Sequence, residues 1–524
     1  MRQALRPNPN RAPVAKTDVI KAPTKGWSAN SLPIQAEDGT AIVLENWFPE
    51  ATSIRPRKGF TAQITGTLIA SSVNTLMSFV SGSTAKLFAA GAGKIYDVTS
   101  VGTLGAAVQS GLGSTKFSYI NFATAAGQFL YMVNGADSAR YYNGSTWTVP
   151  AITGATSSTF SVVTAHKSRL WFIQKNTTTL WYLPVDSIAG AATSFEVGSQ
   201  LRSGGRIVGV STWSVDAGDG MDDLLAIWSS EGEILVYSGN NPSTDYTLVG
   251  HYTAGRPIGD RPFFPIGGDL AMISEDGVLA LSNVMRFDRL TAKEKSLSAQ
   301  IVDEYRKMVR NYSSSFGWQI ATLPKAAMAI VNIPGAGDAG ASVQFVYNVA
   351  TKAWSKFTGM NALCWETFQG NVYFGTAAGG VYRAESGGTD NGASIIARCL
   401  PAFSHMGAPG RTKSVKEIQP LFSTDLSTYT FSTTTVVNFG GVPVVAGSPP
   451  GAAGIFTWDV SVWDGTAVWG GMDVWDDWTG AYNAGYVLSP YSELSVNATN
   501  FPDFDFGLIG WNILHEVGGL AFST

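Results

Sequence analysis

A short β-hairpin recurs through the middle of this chain. From Leu76 to Arg383 an apolar strand is repeatedly followed by a turn that contains Gly or Asn, and then by a second strand ending in an apolar or aromatic residue. Examples are residues 86–90 with 94–98, 169–173 with 179–183, and 224–228 with 234–237. A single hairpin cannot bury both of its faces, so such units must stack on one another. The repetition therefore constrains the fold more than any single motif does.

The spacing of the hairpins predicts the architecture. Copies recur at roughly 40 to 60 residues, which fits one four-stranded blade per copy. We therefore expect an all-β chain in which residues 41–395 form a β-propeller of about six blades. The composition agrees, because 58 glycines, 12% aromatic residues and 14% charged residues are typical of strands joined by tight turns.

Three regions depart from the hairpin pattern. Residues 292–311 place apolar side chains on one face, which predicts an amphipathic helix inserted in the propeller. Residues 1–40 are basic and rich in Pro and Asn, which predicts an extended arm that orders only against a partner, or a plain disordered tail. Residues 396–524 show strand alternation with Ser and Thr, which predicts a C-terminal antiparallel β domain.

The C-terminal domain contains an unusual cluster of tryptophans, and exposing so many would be costly. We interpret them as a subunit interface or a ladder of packed hairpins, with Trp463, Trp469 and Trp475 as candidate contacts. The cluster comprises Trp458, Trp463, Trp469, Trp475 and Trp478.

The sequence predicts no catalytic, cofactor-binding or metal-binding residues. Cys364 and Cys399 are too few for a disulfide framework and lack the spacing of a zinc site, so we expect two buried apolar side chains. The four histidines have no metal-ligand spacing, and no phosphate-binding, dinucleotide or nucleophile motif is present. We expect a protein that is not an enzyme.

Acidic residues are the one group numerous enough to support a hydrolytic activity. One cluster comprises Asp216, Asp219, Asp222 and Asp223, and a second interleaves Asp459, Asp464, Asp473, Asp476 and Asp477 with the tryptophans. Paired carboxylates beside aromatic rings are what a glycosidase needs. A carbohydrate-binding or polysaccharide-degrading protein is therefore an alternative, and so are solvated turns or a calcium-bound loop.

Charge and hydropathy limit the partners. The net charge of -4 gives no global attraction to nucleic acid or to an anionic membrane. The N-terminus has no apolar core of a secretion signal, and no stretch approaches the length of a membrane span, so we expect no membrane anchor and synthesis in a cytoplasm. The local basic run of Arg55, Arg57 and Lys58 is a candidate contact with DNA or a neighbouring subunit, or a solvated guard on an edge strand.

Residues 44–60, with the sequence LENWFPEATSIRPRKGF, resemble the opening of the tail hub or nozzle proteins of short-tailed bacteriophages. In that family an Asn-aromatic-Pro segment precedes an Arg-rich strand that ends in Gly. The order of weak hairpin repeats, a helix, a Ser/Thr-rich β region and Trp-rich hairpins is also similar and covers most of residues 40–524. Residues 44–60 are the one compact motif of the resemblance.

The resemblance implies a structural role in a phage virion. Such a protein forms a homohexameric ring, assembles in the host bacterial cytoplasm, and docks to portal and adaptor proteins above and to fibre, spike or needle proteins below. Genomic DNA passes through the ring without sequence specificity. A mildly acidic protein fits this role, because it holds a sliding polyanion loosely. A monomeric propeller that binds a ligand or peptide through its loops remains a further alternative.

Overall fold

The computed structural model describes residues 15–29, 32–216, 221–266, 269–424, 429–439, 484–497 and 505–520. The chain is built mainly from antiparallel β-strands, so the predicted all-β class is confirmed.

The residues divide into two compact units. Unit 1 comprises residues 1–59, 350–356 and 387–524, and unit 2 comprises residues 60–349 and 357–386. The predicted boundaries placed residues 41–59 and 387–395 with the propeller, whereas both segments group with the C-terminal residues in unit 1. The reason is strand pairing, because Ala41–Glu45 pairs with Ile395–Pro401.

Within its described residues, unit 2 contains seven groups of hydrogen-bonded antiparallel strands, which we number sheet 1 to sheet 7 along the chain; sheet 6 is the part of an eight-stranded sheet that falls in this unit. Apart from one strand of sheet 7, each strand pairs with the one before it in its sheet. The strands are Val73–Ser81, Thr84–Gly91, Lys94–Asp97 and Ala107–Gln109 (sheet 1); Ser118–Thr124, Gly127–Val133, Arg140–Tyr142 and Trp147–Thr148 (sheet 2); Phe160–His166, Arg169–Gln174, Thr179–Tyr182 and Thr193–Glu196 (sheet 3); Ile207–Asp216, Met221–Ser229, Glu233–Ser238 and Thr247–Thr253 (sheet 4); Phe263–Ile266, Asp269–Ser274 and Gly277–Ala280 (sheet 5); Gln319–Leu323, Met328–Ile333 and Val343–Asn348 (sheet 6); and Ala362–Phe368, Asn371–Thr376, Val381–Ala384 and Phe60–Ala62 (sheet 7). Two short parallel pairs join Ile64–Thr65 to Gly102–Thr103 and Ile152–Thr153 to Gly190–Ala191.

The sheets of unit 2 bury both of their faces. Leu76 and Leu87 of sheet 1 lie in one apolar cluster with Cys364 of sheet 7. Met77, the next residue of the same strand, lies in a second cluster with Leu130 of sheet 2. Because successive side chains of a strand point to opposite faces, one strand serves both clusters, with Val73 and Leu76 in the first and Met77 and Phe79 in the second.

Contacts between neighbouring sheets run mainly through their first strands. Val73–Ser81 of sheet 1 contacts Ser118–Thr124 of sheet 2 and Ala362–Phe368 of sheet 7. Further strand contacts join sheets 2 and 3, 3 and 4, 4 and 5, 5 and 6, and 6 and 7. Every sheet of unit 2 therefore contacts two others, and the first sheet contacts the last.

The first strand of unit 2 completes its last sheet. Phe60–Ala62 pairs antiparallel with Val381–Ala384, although more than 300 residues separate them in sequence. The ring of Phe60 meets the rings of Phe374 and Tyr382 edge-on, with 5.2 Å between centroids in both cases. Sheet 7 therefore joins the two ends of the unit.

Three α-helices lie between sheets 5 and 6 in the described chain: α1 Leu281–Arg286, α2 Arg289–Glu294 and α3 Val302–Tyr312. The prediction of one continuous helix over residues 292–311 is therefore wrong. Its apolar face is nevertheless present in α3, where Tyr305, Met308 and Val309 are buried.

The break between α2 and α3 has a hydrogen-bonding cause. The Ser298 hydroxyl accepts the N–H of Val278 at 3.0 Å. The N–H of Leu297 donates to the carbonyl of Val278 at 2.9 Å. A Ser side chain that bonds to nearby backbone competes with helix formation, so these contacts with sheet 5 interrupt the helix.

The described part of unit 1 contains a six-stranded sheet, here called sheet A, and the five strands of the eight-stranded sheet that fall in this unit, here called sheet B. The strands are Ala15–Lys21, Trp47–Pro49, Ile54–Pro56, Arg411–Thr424, Ala484–Gly485 and Phe506–Leu520 in sheet A, and Ala41–Glu45, Trp354–Phe357, Ile395–Pro401, Tyr429–Val437 and Leu488–Val496 in sheet B. A 3-10 turn covers Pro33–Gln35. The sheets meet through aromatic and polar contacts, including the Trp511 indole N–H, which donates to Ser492 at 3.0 Å. The predicted C-terminal strands are present, and they pair with strands from the N-terminal part of the chain.

Part of the predicted N-terminal arm is a strand of sheet A. Ala15–Lys21 pairs antiparallel with Phe506–Leu520, so these residues order within their own chain rather than only against a partner. The imidazole Nε2 of buried His515 lies 2.8 Å from the Asp18 carboxylate and reinforces the pairing. Residues 1–14 lie outside the described residues.

Gly59 occupies a tightly packed position in unit 1. Its N–H donates to the carbonyl of Gly387 at 2.7 Å. A Cβ atom at Gly59 would lie 1.8 Å from the backbone oxygen of Thr389, which is far shorter than any nonbonded contact between two such atoms. The backbone must therefore move if any side chain is added here.

We predict that Gly59→Ala destabilises unit 1 by about 2 to 4 kcal/mol, because overpacking against backbone forces a shift. The measurement is the urea midpoint of the transition of unit 1. Gly507→Ala is the control within unit 1, since the nearest atom to a Cβ atom there is the Ser423 hydroxyl at 3.3 Å. A Gly59→Ala midpoint equal to that of the control would show that the backbone at Thr389 yields without cost.

Candidate functional site

The basic run of residues 55–58 is built into unit 1 instead of forming a free cationic surface. Arg57 has only 1% of its side chain exposed. Its guanidinium donates to both carboxylate oxygens of Asp390, at 2.7 and 2.5 Å, and its Nε donates to the Asn46 side-chain oxygen at 2.9 Å. The bidentate pair uses the fixed geometry of the guanidinium. A side chain so buried offers no surface for the predicted DNA or subunit contact.

Asn46 holds the other side of this buried pair. Its backbone has a φ of 58°, a left-handed conformation that Asn tolerates better than most residues. Its side-chain amide donates to the Ile396 carbonyl at 2.8 Å, and its N–H donates to the Lys356 carbonyl at 2.7 Å. Asn46, Arg57 and Asp390, which we call the buried triad, therefore connect three separate stretches of unit 1.

Arg55 and Lys58 differ from Arg57 in exposure. Arg55 donates to Glu50 at 3.1 Å and lies over the ring of Phe48, 4.8 Å from its centroid. Both Arg55 and Lys58 are partly exposed. The contact predicted for these two residues stays a prediction.

Other sequence candidates fall into two groups. Trp463, Trp469 and Trp475 lie outside the described residues, as do Asp473 and Asp476. Cys364 and Cys399 are buried and free, as predicted, and burial raises the pKa of Cys364 to about 12. A thiol with such a pKa stays protonated and unreactive at neutral pH.

A polar pocket opens in unit 2 where the first strands of several sheets begin. Its volume is about 770 Å³, within the usual range for ligand sites. It is lined by short segments from sheets 2 to 5 and from the chain that precedes sheet 6: residues 114–118, 134, 161–162, 175–176, 206–208, 230–231, 256–261, 275 and 313–316. The same position in successive hairpins therefore contributes to one site.

We call this site the axial pocket. Its charges are unevenly distributed. Glu231 pairs with Arg256 at 2.7 Å, so this side of the pocket is close to balanced. Lys116, Lys175 and Arg206, which we call the cationic arc, are exposed, and within the described residues they form no ion pair. The Lys116 ammonium lies over the ring of Phe316, 4.0 Å from its centroid.

Arg261 forms part of the pocket lining and reaches across the unit. Its guanidinium donates to Gln319 of sheet 6 at 3.0 Å and to Thr75 of sheet 1 at 2.8 Å. It also donates to the carbonyl of Phe117, just before sheet 2, at 3.1 Å. A single side chain thus joins the beginnings of sheets 1, 2 and 6, so it occupies the space between them.

Tyr119 and Glu366 form a second polar contact between first strands. The Tyr119 hydroxyl on sheet 2 donates to the Glu366 carboxylate on sheet 7. Burial raises the pKa of Glu366 to about 7, while hydrogen bonds from Ser78 and Tyr119 and the charge of Arg261 act in the opposite direction. Burial also raises the pKa of Tyr119. The carboxyl is therefore close to half-protonated at neutral pH.

No local sequence signal marks the pocket, because its charged residues come from separate hairpins spread over residues 116–275. Only an alignment of the hairpins on one another would place Lys116, Arg206 and Arg261 at equivalent strand beginnings. In the described part of the chain, no three side chains of the His, Cys, Asp or Glu type form a group that could hold a metal ion. The helices among the described residues are too short or too polar to cross a membrane.

Comparisons with known proteins give no family. No family model and no curated protein matches the chain. Solved structures that it is similar to include the computationally designed protein Ika8, at 8% identity over 62% of this chain and 99% of that chain, with a TM-score of 0.36. Sqt1 of Saccharomyces cerevisiae matches at 12% identity over 66% and 96%, with a TM-score of 0.36, and BBS1N in complex with ARL6DN at 11% over 63% and 97%, with a TM-score of 0.37. Scores this low carry no argument about fold or function.

We predict that Arg57→Ala lowers the free energy of unfolding of unit 1 by about 3 to 5 kcal/mol, because it takes the guanidinium away from the Asp390 carboxylate, which is only 12% exposed, and removes the Nε hydrogen bond to Asn46. Arg55→Ala is the matched control and should cost about 1 kcal/mol or less, since Glu50 is 45% exposed. Urea unfolding of the two variants makes the comparison. Equal losses would contradict an essential role for the buried triad.

We predict that Glu366 makes unit 2 less stable as the pH rises from about 4.5 to 7. In this window the folded state holds a proton that the unfolded state has released, so the free energy of unfolding falls with pH. The full difference corresponds to about 3 kcal/mol. Urea unfolding at a series of pH values measures the slope.

Glu366→Gln should remove this slope, and Glu294→Gln, an exposed carboxyl on α2, should keep it. The difference between variant and native protein is the useful quantity, because His166 acts in the opposite direction. Burial lowers the pKa of His166 to about 4, which makes unit 2 less stable as the pH falls from 6.5 to 4. Parallel pH curves for Glu366→Gln and native protein would refute the assignment.

Proposed function

We propose that unit 2 is a seven-bladed β-propeller, one blade more than the sequence spacing suggested. Two observations support the proposal. The contacts between sheets lead from sheet 1 through sheet 7 and back to sheet 1. The strand Phe60–Ala62 pairs with Val381–Ala384, so one blade takes strands from both ends of the unit. Sharing a blade between chain ends is an effective way to hold a ring of sheets closed, since no blade is left as a free end.

We further propose that the chain is a structural, non-enzymatic subunit of the short tail of a bacteriophage. The observation that carries this proposal is the run of residues 44–60. Its Asn46, Arg57 and Gly59 have defined roles in unit 1, where the first two form the buried triad with Asp390 and the third allows a close backbone approach. The resemblance to tail hub and nozzle proteins therefore rests on residues that build a fold.

In this proposal the DNA path lies between copies of the chain. Arg261, Tyr119 and Glu366 connect the first strands of unit 2, so a duplex has no route through the proposed propeller. A ring of six copies would leave a passage at its own centre. The net charge of -4 suits a passage that must not grip DNA.

The proposed location and partners follow from the same role. The ring would sit in the virion tail, with portal and adaptor proteins above it and fibre, spike or needle proteins below it. Phage DNA would pass during ejection. A monomeric binding module is the second candidate, and the axial pocket is the observation that favours it.

We expect the protein to form a six-membered ring, alone or on its portal and adaptor complex. Native mass spectrometry should give six times the 55.5 kDa of one chain, and negative-stain images should show a ring. Because some ring proteins assemble only on their partner, both conditions are required. A chain that stays monomeric in both would refute the tail proposal and favour the binding module.

A further inference from the structure

We propose that the axial pocket of unit 2 binds an acidic peptide segment of a partner protein, with the cationic arc as its main contact. The proposal goes beyond the tail assignment and does not depend on ring formation, because every residue of the pocket belongs to unit 2 of one chain.

The charge of the pocket favours an acidic ligand. Lys116, Lys175 and Arg206 are exposed in one concave site and, within the described residues, form no ion pair. The Lys175 ammonium donates to the Gly135 carbonyl at 3.3 Å, which leaves two of its three N–H groups for a ligand. Cations collected in a cleft raise the local concentration of anions and speed their binding.

The hydroxyl groups and apolar surface of the pocket suit an extended peptide. Ser114, Ser118 and Ser161 bring hydroxyl groups to the pocket, and Pro257 and Val208 bring apolar surface. The Ser114 and Ser118 hydroxyls accept backbone N–H groups and keep their own protons for a ligand, whereas the Ser161 hydroxyl donates to the Ile173 carbonyl and offers a ligand an acceptor. Pockets that combine apolar surface with a few polar groups are typical of ligand sites.

The aromatic and acidic residues of the pocket favour a peptide over a nucleic acid. Single-stranded nucleic acid is held by stacking on aromatic rings, but Phe117 is buried and the Phe316 ring is already covered by Lys116. The continuous negative charge of any DNA would meet Asp260, Glu231 and Glu275 in the same pocket. A peptide can place carboxylates on the cationic arc and neutral residues beside these acids.

The experiment measures peptide binding to the full chain by fluorescence anisotropy. The probe is a labelled synthetic peptide with the sequence GSDVSDDSTG, which has three Asp residues and no basic residue and does not occur in this chain. Its control is the same peptide with Asn in place of each Asp. We expect binding of the acidic peptide that weakens with salt, and at least tenfold weaker binding of the Asn peptide.

The protein variants test the site. Lys116→Glu/Arg206→Glu should weaken binding of the acidic peptide about tenfold or more, because two attractions become repulsions. Lys94→Glu/Arg383→Glu makes the same charge change at exposed positions outside the pocket and should leave the affinity unchanged. Circular dichroism establishes that both variants fold.

Three results would overturn the proposal. One is equal affinity for the Asp and Asn peptides, and another is equal weakening by the two double variants. The third is tighter binding of a labelled single-stranded or duplex oligonucleotide that Lys116→Glu/Arg206→Glu abolishes, which would make the pocket a nucleic-acid site. Ring formation is measured separately, so a negative peptide result leaves the tail proposal standing.

Discussion

The burial of both faces of each sheet is the constraint on which unit 2 depends. A hairpin whose alternate side chains are all apolar is stable only with a neighbour on each side. Leu76 lies in the cluster that sheet 1 shares with sheet 7. Met77, the next residue of the same strand, lies in the cluster that sheet 1 shares with sheet 2. The contact between sheets 7 and 1 covers the apolar residues that these two sheets share. The polar contacts of Arg261 and Glu366 then occupy positions that the apolar clusters do not fill.

Unit 1 depends on a different kind of interaction. Unit 1 is formed by three separate stretches of the chain. The buried triad of Asn46, Arg57 and Asp390 links two of these stretches directly. Asn46 also bonds to Lys356 in the third. A buried ion pair adds little net stability compared with apolar packing, but it specifies geometry, since an unpaired partner would be costly. The triad therefore fixes which segments meet, and the aromatic contacts around Trp511 and Phe506 supply the packing.

The sequence predicted the repeating part of the fold and missed what depends on long-range contact. Hairpins such as 86–90 with 94–98 were predicted correctly, because turn residues and strand alternation are local signals. Residues 292–311 were misjudged because the helical period persists through Leu297, whose hydrogen bonds to sheet 5 override it. Arg57 was taken for a surface cation because its partner Asp390 lies 333 residues away. The cationic arc was missed for the same reason: Lys116 and Arg206 become neighbours only when the sheets stack.

The pairing of Phe60–Ala62 with Val381–Ala384 sets an order of events for a nascent chain. Sheets 1 to 6 can form one after another as the ribosome delivers them, because their contacts are local. Sheet 7 cannot be completed until residue 384 has been made, so Phe60–Ala62 must wait unpaired while some 300 residues are synthesised. Contacts of such sequence separation form slowly, and an unpaired strand edge is a site for wrong partners. The three-residue strand that is synthesised first in unit 2 is thus the one that waits longest for its partner.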